Sequence, residues 1–594
     1  MKKYNVTGMG CAACVARVEK AVCELKGVDS CAVSLLTNDM IVEGNAGAAE
    51  IIAAVESAGY GCSEQEQTGE DEEPRLLEDT ETPKLLKRLA VSAVLLFLQI
   101  ICMRKEWMIP WSEIIISLVV MGVNFRFFLS GAKSLIHKAP NMDTLVSLGA
   151  IAAFVYGYYD SASMILTFIT IGKTLEARSK GKTTDALKSL VKLSPKTNLK
   201  VGDEFSVYPG DSFPADGVVV GGETAVDESM LTGESDPVGK RVGATVSAAT
   251  INIKSTVKCR ATAVGKDTTL AHIIQLVSDT AASKAPIAKM ADKVAGVFVP
   301  LVILIAVAVT SIWYLVSRDF GLALKYGISV LVISCPCAMG LATPVAIMVA
   351  SGKGAKNGIL FKTAASIEET GRIDLIAMDK TGTLTYGSRE ITDLMSLESS
   401  SAELQKKANT VKPEARETVE ALKRLGLGVC MITGDREKKA KEIADLCSIE
   451  DIVAEVKPDG KSEAVQKLQS DGWKVAMVGD GINDAPALTQ ADIGIAVGTG
   501  TDVAIDSASV VIMKGDLRDV YKAVKLSRDT LKIIKENLFW AFFYNVISIP
   551  IAAGAFSSFD ISLTPGIAAL CMSLSSFCVC MNALRLNICE LDIN

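Results

Sequence analysis

The feature that most restricts the fold of this chain is a series of apolar runs of about the length that crosses a bilayer as a helix. Hydrophobic residues make up 49% of the 594 residues and charged residues only 22%, which is unusual for a soluble multidomain protein. The runs predict a bundle of eight transmembrane helices, with further domains between them. They centre on Leu85–Met103, Trp111–Leu129, Leu145–Tyr159, Ala162–Leu175, Val294–Val316, Gly327–Ala350, Leu538–Phe556 and Thr564–Leu584.

Basic residues predict the orientation of this bundle. An even number of spans places both termini on one side, and Arg178, Lys180, Lys182 and Lys188 follow the fourth run. Short loops rich in Lys and Arg remain cytoplasmic, and no signal peptide precedes the first run. We therefore expect a multi-pass protein of the cell (cytoplasmic) membrane, partnered by the lipid bilayer, with both termini in the cytoplasm.

Charge and cysteine content narrow the functional classes. The net charge is −7, and part of it lies in Glu64–Glu81, an acidic stretch typical of a flexible linker. This distribution does not indicate nucleic-acid binding. The chain has 15 Cys and 2 His. Most Cys lie in predicted cytoplasmic or membrane segments, where disulfides are rare, so paired Cys are interpreted first as soft-metal ligands.

The first 62 residues predict a small module in which strand, helix, hairpin and helix follow in the order of a ferredoxin-like, split βαβ fold. Residues 8–14, GMGCAAC, place Cys11 and Cys14 on the loop before the first helix, where thiol pKa values are lowered. Two thiolates without a third ligand suit Cu(I) better than tetrahedral Zn²⁺. Redox or structural thiols share the CxxC spacing, but the whole segment resembles the heavy-metal-associated domain.

A second pattern lies at the end of a predicted buried strand, Ile373–Met378. Asp379 follows at once and opens the run DKTGT, Asp379–Thr383. Open α/β sheets place their ligands at the carboxyl ends of strands. A carboxylate in that position can attack a phosphoryl group and become an acyl phosphate. The alternative is a strand that ends in an ordinary polar turn.

Two later predicted strands end in comparable clusters. Gly428–Ile432 is followed by TGD at residues 433–435, and Val475–Val478 is followed by GDGIND at residues 479–484. Lys461 lies between these two clusters. Strand-end clusters in this order resemble the haloacid-dehalogenase-type fold.

The sixth apolar run contains two cysteines on either side of a proline, Cys335, Pro336 and Cys337. Proline inside a helix removes a backbone hydrogen bond and opens the turn. A membrane tolerates that opening where protein or an ion refills it. The pattern predicts a soft, dehydrated ion site, and the alternative is a packing kink flanked by small apolar Cys.

The last two runs contain further polar donors. Tyr544 and Asn545 lie in the seventh run, and Met572, Ser575 and Ser576 lie in the eighth. Polar groups inside a membrane are costly and usually face a pathway. Ordinary helix packing by Ser and Asn is the alternative.

With TGES at Thr232–Ser235, in the polar, strand-rich region after the fourth run, these motifs resemble those of the heavy-metal P-type ATPases. The resemblance implies that Asp379 is phosphorylated with the help of Lys380 and that Glu234 positions the water that hydrolyses the acyl phosphate. It implies that Asp379 and Asp480 hold Mg²⁺ with Asp484 nearby. Further contacts to phosphoryl groups or to ATP are implied for Thr433, Lys461, Thr381, Gly382, Thr383, Gly434 and Asp435.

The same resemblance implies the transported ion. The copper-transporting subgroup carries a Tyr-Asn pair and a Met-x-x-Ser-Ser run in its last two spans, whereas zinc and cadmium relatives place a Lys and an Asp there. This chain matches the copper pattern and therefore resembles an exporter of Cu(I), supplied by a cytoplasmic copper chaperone. The implied membrane ligands are Cys335, Cys337, Tyr544, Asn545, Met572 and Ser576.

One part of the family pattern is missing between Thr385 and Pro413. The resemblance implies a nucleotide-binding domain there, but roughly 30 residues intervene, below the ~50-residue floor for a domain. The two flanks match the family without the insertion, so the use of ATP stays open. The alternative function is a membrane copper-binding or sensing protein with residual phosphatase activity and no ATP-driven transport. A Zn²⁺ or Cd²⁺ pump is disfavoured by the ligands of the last two spans.

The expected fold class is a multidomain membrane protein. It combines an eight-helix transmembrane bundle with a ferredoxin-like metal-binding domain, a β-rich actuator domain and an α/β, haloacid-dehalogenase-like phosphorylation domain. The expected boundaries are a heavy-metal-associated domain at 1–62, an acidic linker at 63–84, helices 1–4 at 85–178, the actuator at 179–290, helices 5–6 at 291–352, the phosphorylation domain at 353–530, and helices 7–8 with the tail at 531–594.

Overall fold

The chain folds into two compact units. One comprises Met1–Asp185, Ala281–Ala346 and Ile533–Arg585, and the other comprises Ala186–Thr280, Ile347–Lys532 and Leu586–Asn594. The computed structural model describes residues 2–7, 9, 12–33, 39–64, 81–104, 111–136, 142–183, 195, 197–229, 237–334, 337–386, 410–457, 460–480, 484–498, 506–559 and 562–593.

The N-terminal module is an antiparallel sheet packed against two helices within residues 2–64. Its elements are β1 (Lys2–Thr7), α1 (Ala12–Cys23), β2 (Val28–Val33), β3 (Asp39–Gly44), α2 (Ala48–Ser57) and β4 (Gly61–Glu64). The strands are ordered β2-β3-β1-β4. Tyr4 and Val6 of the sheet pack against Val18 of α1 and Val55 of α2 in a buried core. The predicted order of elements is confirmed, but β4 was not predicted and α1 begins two residues before Cys14.

The next segment is helical throughout its described residues. It contains α3 (Glu81–Arg104), α4 (Ser112–Val123), α5 (Phe125–Ile136), α6 (Met142–Val155) and α7 (Tyr159–Thr183). The second predicted span is not straight, because α4 and α5 are bent by 66° on either side of Asn124. The Asn124 amide donates to Ser92 Oγ at 2.9 Å and accepts from Thr170 Oγ1 at 3.0 Å. These hydrogen bonds join the bend to α3 and α7.

The polar region that follows forms antiparallel sheets with strand orders β5-β11-β6-β9 and β10-β7-β8. Alternating residues of these strands, such as Val219 and Cys259, enclose the buried ring of Phe213. Asp216 accepts hydrogen bonds from the backbone of Ala248 and of Thr269, both at 2.7 Å. The elements are β5 (Glu204–Val207), β6 (Asp216–Gly221), β7 (Thr224–Asp227), β8 (Val238–Lys240), β9 (Thr245–Val246), β10 (Ile251–Asn252), β11 (Val257–Ala263) and α8 (Thr269–Ala282).

Three apolar helices come next in the described chain. α9 spans Pro286–Ser317, α10 spans Phe320–Ile333 and α11 spans Cys337–Lys356. Asp319 caps α10, because its Oδ1 accepts from the backbone N–H of Gly321 at 2.8 Å. α10 ends at Ile333 and α11 begins at Cys337, and Cys335 and Pro336 between them lie outside the described residues.

A largely parallel sheet forms the centre of the second unit, with the strand order β12-β18-β17-β16-β13-β14-β15. Among the described strands of this sheet, only the β12–β18 pair is antiparallel. The strands are nearly continuous apolar runs because both faces are covered by helices. The elements are β12 (Ile359–Phe361), α12 (Ala364–Thr370), β13 (Leu375–Asp379), α13 (Ala415–Arg424), β14 (Gly428–Ile432), α14 (Glu437–Leu446), β15 (Asp451–Val453), α15 (Gly460–Ser470), β16 (Val475–Gly479), α16 (Ala485–Gln490), β17 (Ile493–Val497) and β18 (Val510–Ile512).

The chain closes with α17 (Arg518–Ala552) and α18 (Pro565–Leu584). Each of the eight predicted runs lies wholly or largely on described helix. In the described part of the chain, three helices are long and apolar enough to cross a membrane, or four if the bent α4–α5 pair is one span. The remaining helices are shorter, as is α6, or carry charges over part of their length, as does α17. The full set of eight spans is therefore not confirmed.

Candidate functional site

Asp379 is the last residue of β13, which pairs with β14 on one side and β16 on the other. Only 4% of its surface is exposed. Its Oδ2 accepts a hydrogen bond from the backbone N–H of Thr381 at 3.1 Å. The strand thus holds a buried carboxylate at the carboxyl edge of a parallel sheet, where such sheets bind ligands.

Lys461 joins Asp379 to a second buried carboxylate. The Lys461 ammonium, on the first turn of α15, lies 2.6 Å from Asp379 Oδ1 and 2.6 Å from Asp484 Oδ1. Burial and the neighbouring Asp484 raise the pKa of Asp379 to about 6, against the opposing effect of Lys461. Burial by itself lowers the pKa of Lys461, but the neighbouring carboxylates Asp379 and Asp484 have the larger effect, so the pKa of this ammonium is raised. Lys461 therefore stays protonated and neutralises part of the carboxylate charge.

Asp480 completes a cluster of carboxylates with Asp379 and Asp484. Oxygens of the three side chains lie within 4.8 Å of one another. Carboxylate oxygens are the ligands that Mg²⁺ prefers in proteins, so this donor set fits a magnesium ion. Two glycines make room for these carboxylates. A Cβ on Gly382 would lie 1.6 Å from Asp480 Oδ2, and a Cβ on Gly479 would lie 2.7 Å from Asp484 Oδ2.

Lys380 pairs with another acidic residue of the sheet edge. Its ammonium lies 2.8 Å from Asp435 Oδ2, on the loop after β14, and Lys439 approaches the same oxygen at 3.3 Å. Burial opposes ionisation, yet the two ammonium groups lower the pKa of Asp435. Asp435 was predicted as a nucleotide contact, and in this structure it orients Lys380 at the sheet edge.

Thr433 and Thr383 of the site are deeply buried, whereas Thr381 is exposed. Thr433 Oγ1 accepts a hydrogen bond from the backbone N–H of Asp435 at 3.2 Å, which fixes the TGD loop containing Gly434. Thr383 is fully buried, and its hydroxyl has no hydrogen-bond partner among the described residues. A buried hydroxyl without a partner is costly, so Thr383 is suited to donate to an oxygen of a bound phosphoryl group.

Lys412 is a residue of this site that sequence reasoning missed. It is buried, and its ammonium donates to the carbonyl oxygens of Gly382 at 3.2 Å and Gly515 at 3.0 Å. Backbone hydrogen bonds also join Leu384 to Lys412 and Tyr386 to Thr410. The two chain segments that flank residues 387–409 therefore pair directly. A lysine beside a predicted loop gave no signal of this role, because its partners are backbone carbonyls.

The residues predicted for the membrane site lie partly in the described helices. Asn545, Met572 and Ser576 are buried, whereas Tyr544 and Ser575 are half-buried. The Asn545 amide donates to the Ala541 carbonyl at 2.9 Å. Its Oδ1 has no hydrogen-bond partner in the part of the chain that the structure describes. A buried amide oxygen left unpaired inside an apolar bundle is suited to an ion or to a polar side chain that moves.

Helices α11, α17 and α18 meet at one buried apolar cluster that includes Ala338, Ala541 and Val579. Ala541 lies one helical turn before Asn545, and Val579 lies one turn after Ser576. Ala338 directly follows Cys337, the first residue of α11. Cys337 therefore directly precedes a residue of the cluster that α11 shares with α17 and α18.

Several predicted residues are not placed by the structure. Cys11, Cys335 and Glu234 lie outside the described residues, and the side chain of Cys337 does as well. Cys14 is described on the first turn of α1, where its side chain is buried.

Family models match three regions of the chain. Residues 3–61 match the heavy-metal-associated domain, residues 182–278 match the P-type ATPase actuator domain, and residues 401–492 match the haloacid dehalogenase-like hydrolases. The actuator match spans the antiparallel sheets, and the hydrolase match spans β14–β16 and their strand-edge loops. Together with Asp379 at the sheet edge, these domains are those of a P-type ATPase.

Full-length relatives extend these matches. Copper-transporting ATPase 1 of Rhizobium meliloti (strain 1021) is 38% identical over 740 aligned positions, covering 99% of this chain and 89% of that protein. The copper-exporting P-type ATPase of Bacillus subtilis (strain 168) is 36% identical, covering 98% of this chain and 90% of that protein. The chain belongs to the copper-transporting P-type ATPase family. Since the first alignment exceeds 594 residues, part of that relative has no counterpart here.

Solved structures give a weaker match. A crystal structure of a zinc-transporting PIB-type ATPase in the E2.Pi state aligns with a TM-score of 0.49 and 25% identity, over 85% of this chain and 99% of that chain. At that score the alignment does not bear on how the domains of this chain are arranged.

Proposed function

We propose that this chain couples ATP hydrolysis to the export of Cu(I) across the cytoplasmic membrane, through an aspartyl phosphate on Asp379. The observation that carries the proposal is the strand-edge centre, where Lys461 lies 2.6 Å from Asp379 and carboxylates gather within 4.8 Å. Membership of the copper-transporting family supports Cu(I) as the ion. The soft donors of the predicted membrane site support it independently.

In the first half-reaction an Asp379 oxygen attacks the terminal phosphorus of ATP. The new P–O bond forms as the bond to the ADP oxygen breaks, and ADP leaves with that electron pair. Lys461, already between two carboxylates, is placed to hold the incoming phosphoryl oxygens, with Thr433 and Thr383 as further donors. Mg²⁺, held by Asp379 and Asp480 with Asp484 nearby, would neutralise charge on the transferred group.

In the second half-reaction water attacks the phosphorus of the aspartyl phosphate. The P–O bond to Asp379 breaks, the carboxylate is restored and inorganic phosphate leaves. Glu234 would position the water and take up its proton. This role is supported by the TGES motif inside the actuator match at residues 182–278.

The ion would pass through the junction of α11, α17 and α18. Cys335 and Cys337 supply thiolates, and Tyr544, Asn545, Met572 and Ser576 supply donors from the facing helices. The buried, unpaired oxygen of Asn545 supports this assignment. We further propose that all eight apolar runs cross the membrane with both termini in the cytoplasm. The N-terminal module, through Cys11 and Cys14, would then receive copper there from a cytoplasmic chaperone.

The test is copper uptake into inside-out membrane vesicles that contain the full chain. Addition of ATP at millimolar concentration, far above the micromolar level at which no rapid labelling is expected, should drive uptake of Cu(I) that vanadate inhibits and that Asp379→Asn abolishes. The Asp379→Asn protein should still bind copper, because its membrane ligands are intact. Equal uptake with and without ATP, in both proteins, would contradict the proposal and favour a copper-binding or sensing role.

A further inference from the structure

A pair of thiols lies on the N-terminal module, away from Cys11 and Cys14. Cys23 is the last residue of α1 and Cys31 lies in the middle of β2. Cys14 and Cys23 are nine residues apart on one helix, or about 13 Å along its axis. One metal ion therefore cannot be shared by Cys14 and Cys23.

The packing of α1 on β2 brings the two thiols together. Glu19 Oε1 accepts a hydrogen bond from the backbone N–H of Val33 at 2.9 Å. Cys23 lies one helical turn after Glu19 on the same face, and Cys31 lies two residues before Val33 on the same side of the strand. Because α1 and β2 run in opposite directions, the hydrogen bond between Glu19 and Val33 places Cys23 of α1 beside Cys31 of β2.

The two sulfurs interact directly. The Cys23 sulfur accepts hydrogen bonds from the thiol and from the backbone N–H of Cys31. Cys23 is exposed and Cys31 is half-buried. One thiol is thus open to an incoming ion, and the second is held behind it.

Positive charge from α9 and the residues just before it faces this pair. The Lys284 ammonium lies 3.0 Å from Glu19 Oε1, and both side chains are largely buried. Besides burial, the negative charge of Glu19 raises the pKa of both thiols; Lys284 opposes this effect at Cys31 and Lys289 opposes it at Cys23. A complex of two thiolates with a monovalent ion carries one negative charge, which these ammonium groups would stabilise.

We propose that Cys23 and Cys31 form a second Cu(I) site, at the contact of the N-terminal module with the start of α9. The ion would displace one proton from each thiol and bind both sulfurs, so that Cu⁺ and two thiols give a bis-thiolate anion and two protons. Two soft ligands without a third donor suit Cu(I). Burial raises the pKa of both thiols, which slows attack on disulfides but does not prevent displacement of the protons by a metal.

The experiment counts Cu(I) ions bound by the full chain against a competing Cu(I) chelator, under a reducing atmosphere. All variants are compared in a chain that carries Cys11→Ser and Cys14→Ser, which removes the CxxC site proposed above. Adding Cys23→Ser and Cys31→Ser should lower the count by one ion per chain. Cys62→Ser is the matched control, because Cys62 is a partly buried thiol of β4 in the same module, and it should leave the count unchanged.

A second measurement does not depend on how the variants fold. In the unmodified chain, enough Cu(I) to fill the membrane site, the CxxC site and this one should protect Cys23 and Cys31 from alkylation, as read by peptide mass spectrometry, while Zn²⁺ should not. An unchanged copper count in the quadruple variant, or alkylation of Cys23 at the same rate with and without Cu(I), would overturn the proposal. This outcome would leave the proposed transport function untouched, because ATP-driven uptake depends on different residues.

Discussion

The ammonium of Lys461 lies between Asp379 and Asp484, 2.6 Å from one oxygen of each. Without a phosphoryl group, this lysine keeps two buried carboxylates at the sheet edge from repelling each other. When a phosphoryl group binds, the same ammonium is in place to hold it. The resting arrangement and the reactive one therefore use the same residue.

The first prediction concerns the phosphoryl donor. The segments Leu384–Tyr386 and Thr410–Lys412 pair directly, and residues 387–409 between them are too few for a nucleotide-binding domain. In-line transfer from ATP depends on holding its adenine and triphosphate in position. We expect acetyl phosphate to label Asp379 at least as well as ATP, and Asp379→Asn to abolish the label. The measurement is acid-stable incorporation of radioactive phosphate. Labelling by micromolar ATP at about 1–100 s⁻¹ would show instead that another segment binds the nucleotide.

The second prediction concerns Gly382. A Cβ there would overlap Asp480, and its φ of 77° is unfavourable for other residues. Gly382→Ala should therefore reduce phosphorylation of Asp379 by at least tenfold. Gly426 is the control, since its φ is 79° but a Cβ would meet nothing within 4 Å. Gly426→Ala should cost only about 1–2 kcal/mol of stability and should leave labelling unchanged. If the two variants label equally, the contact with Asp480 is unimportant.

The third prediction concerns Lys412. Lys412→Met keeps most of the side-chain volume but removes the ammonium that holds Gly382 and Gly515. The DKTGT loop should become less well positioned, so we expect the rate of phosphorylation to fall by about tenfold or more, which corresponds to ~1.4 kcal/mol. Lys441→Met, at an exposed position of α14, serves as the comparison. Unaltered labelling in Lys412→Met would limit this residue to a role in folding.

The fourth prediction concerns pH. The lowered pKa of Asp435 means that its carboxylate stabilises the folded state at neutral pH. That contribution is present above the unfolded pKa of about 3.9 and is lost as the pH falls through the lower folded value. Asp435→Asn should lose about 1–2 kcal/mol at pH 7 and show a smaller loss of stability in acid than the parent. Thermal unfolding of the detergent-solubilised protein between pH 3 and 7 measures both, with exposed Asp471→Asn as the control. If the stability of the parent and of Asp435→Asn falls equally as the pH is lowered, the ionised Asp435 carboxylate does not stabilise the folded state.

The fifth prediction concerns the membrane site. Asn545→Leu fills the same space but removes the buried oxygen that has no described partner. We expect ATP-dependent copper uptake to fall by more than tenfold, while phosphorylation by acetyl phosphate persists. Val546→Leu, on the exposed face of α17, should leave uptake unchanged. Normal uptake by Asn545→Leu would remove this residue from the ion pathway.

Much of the fold was predictable because its signals are local. The apolar strand before Asp379, the glycine turn after it and the matching strand-edge clusters at Thr433 and Asp480 each depend on a few neighbouring residues. Parallel strands bring their carboxyl ends to one edge, so the approximate gathering of these side chains followed from the pattern. The bend at Asn124 was not predicted, and the hydrogen bonds that join Asn124 to Ser92 and Thr170 come from helices distant in sequence.

The sequence by itself determined the class of domains, the strand that carries Asp379, the glycines that the turn requires and the apolar helices. Only the tertiary structure decided that Lys461 bridges Asp379 and Asp484, that Lys380 pairs with Asp435, that Lys412 holds backbone carbonyls, and that Cys23 meets Cys31. The physical reason is that hydrophobic periodicity fixes which face of an element is buried. It does not fix which residue on another element that face will meet, because that depends on strand order and helix register.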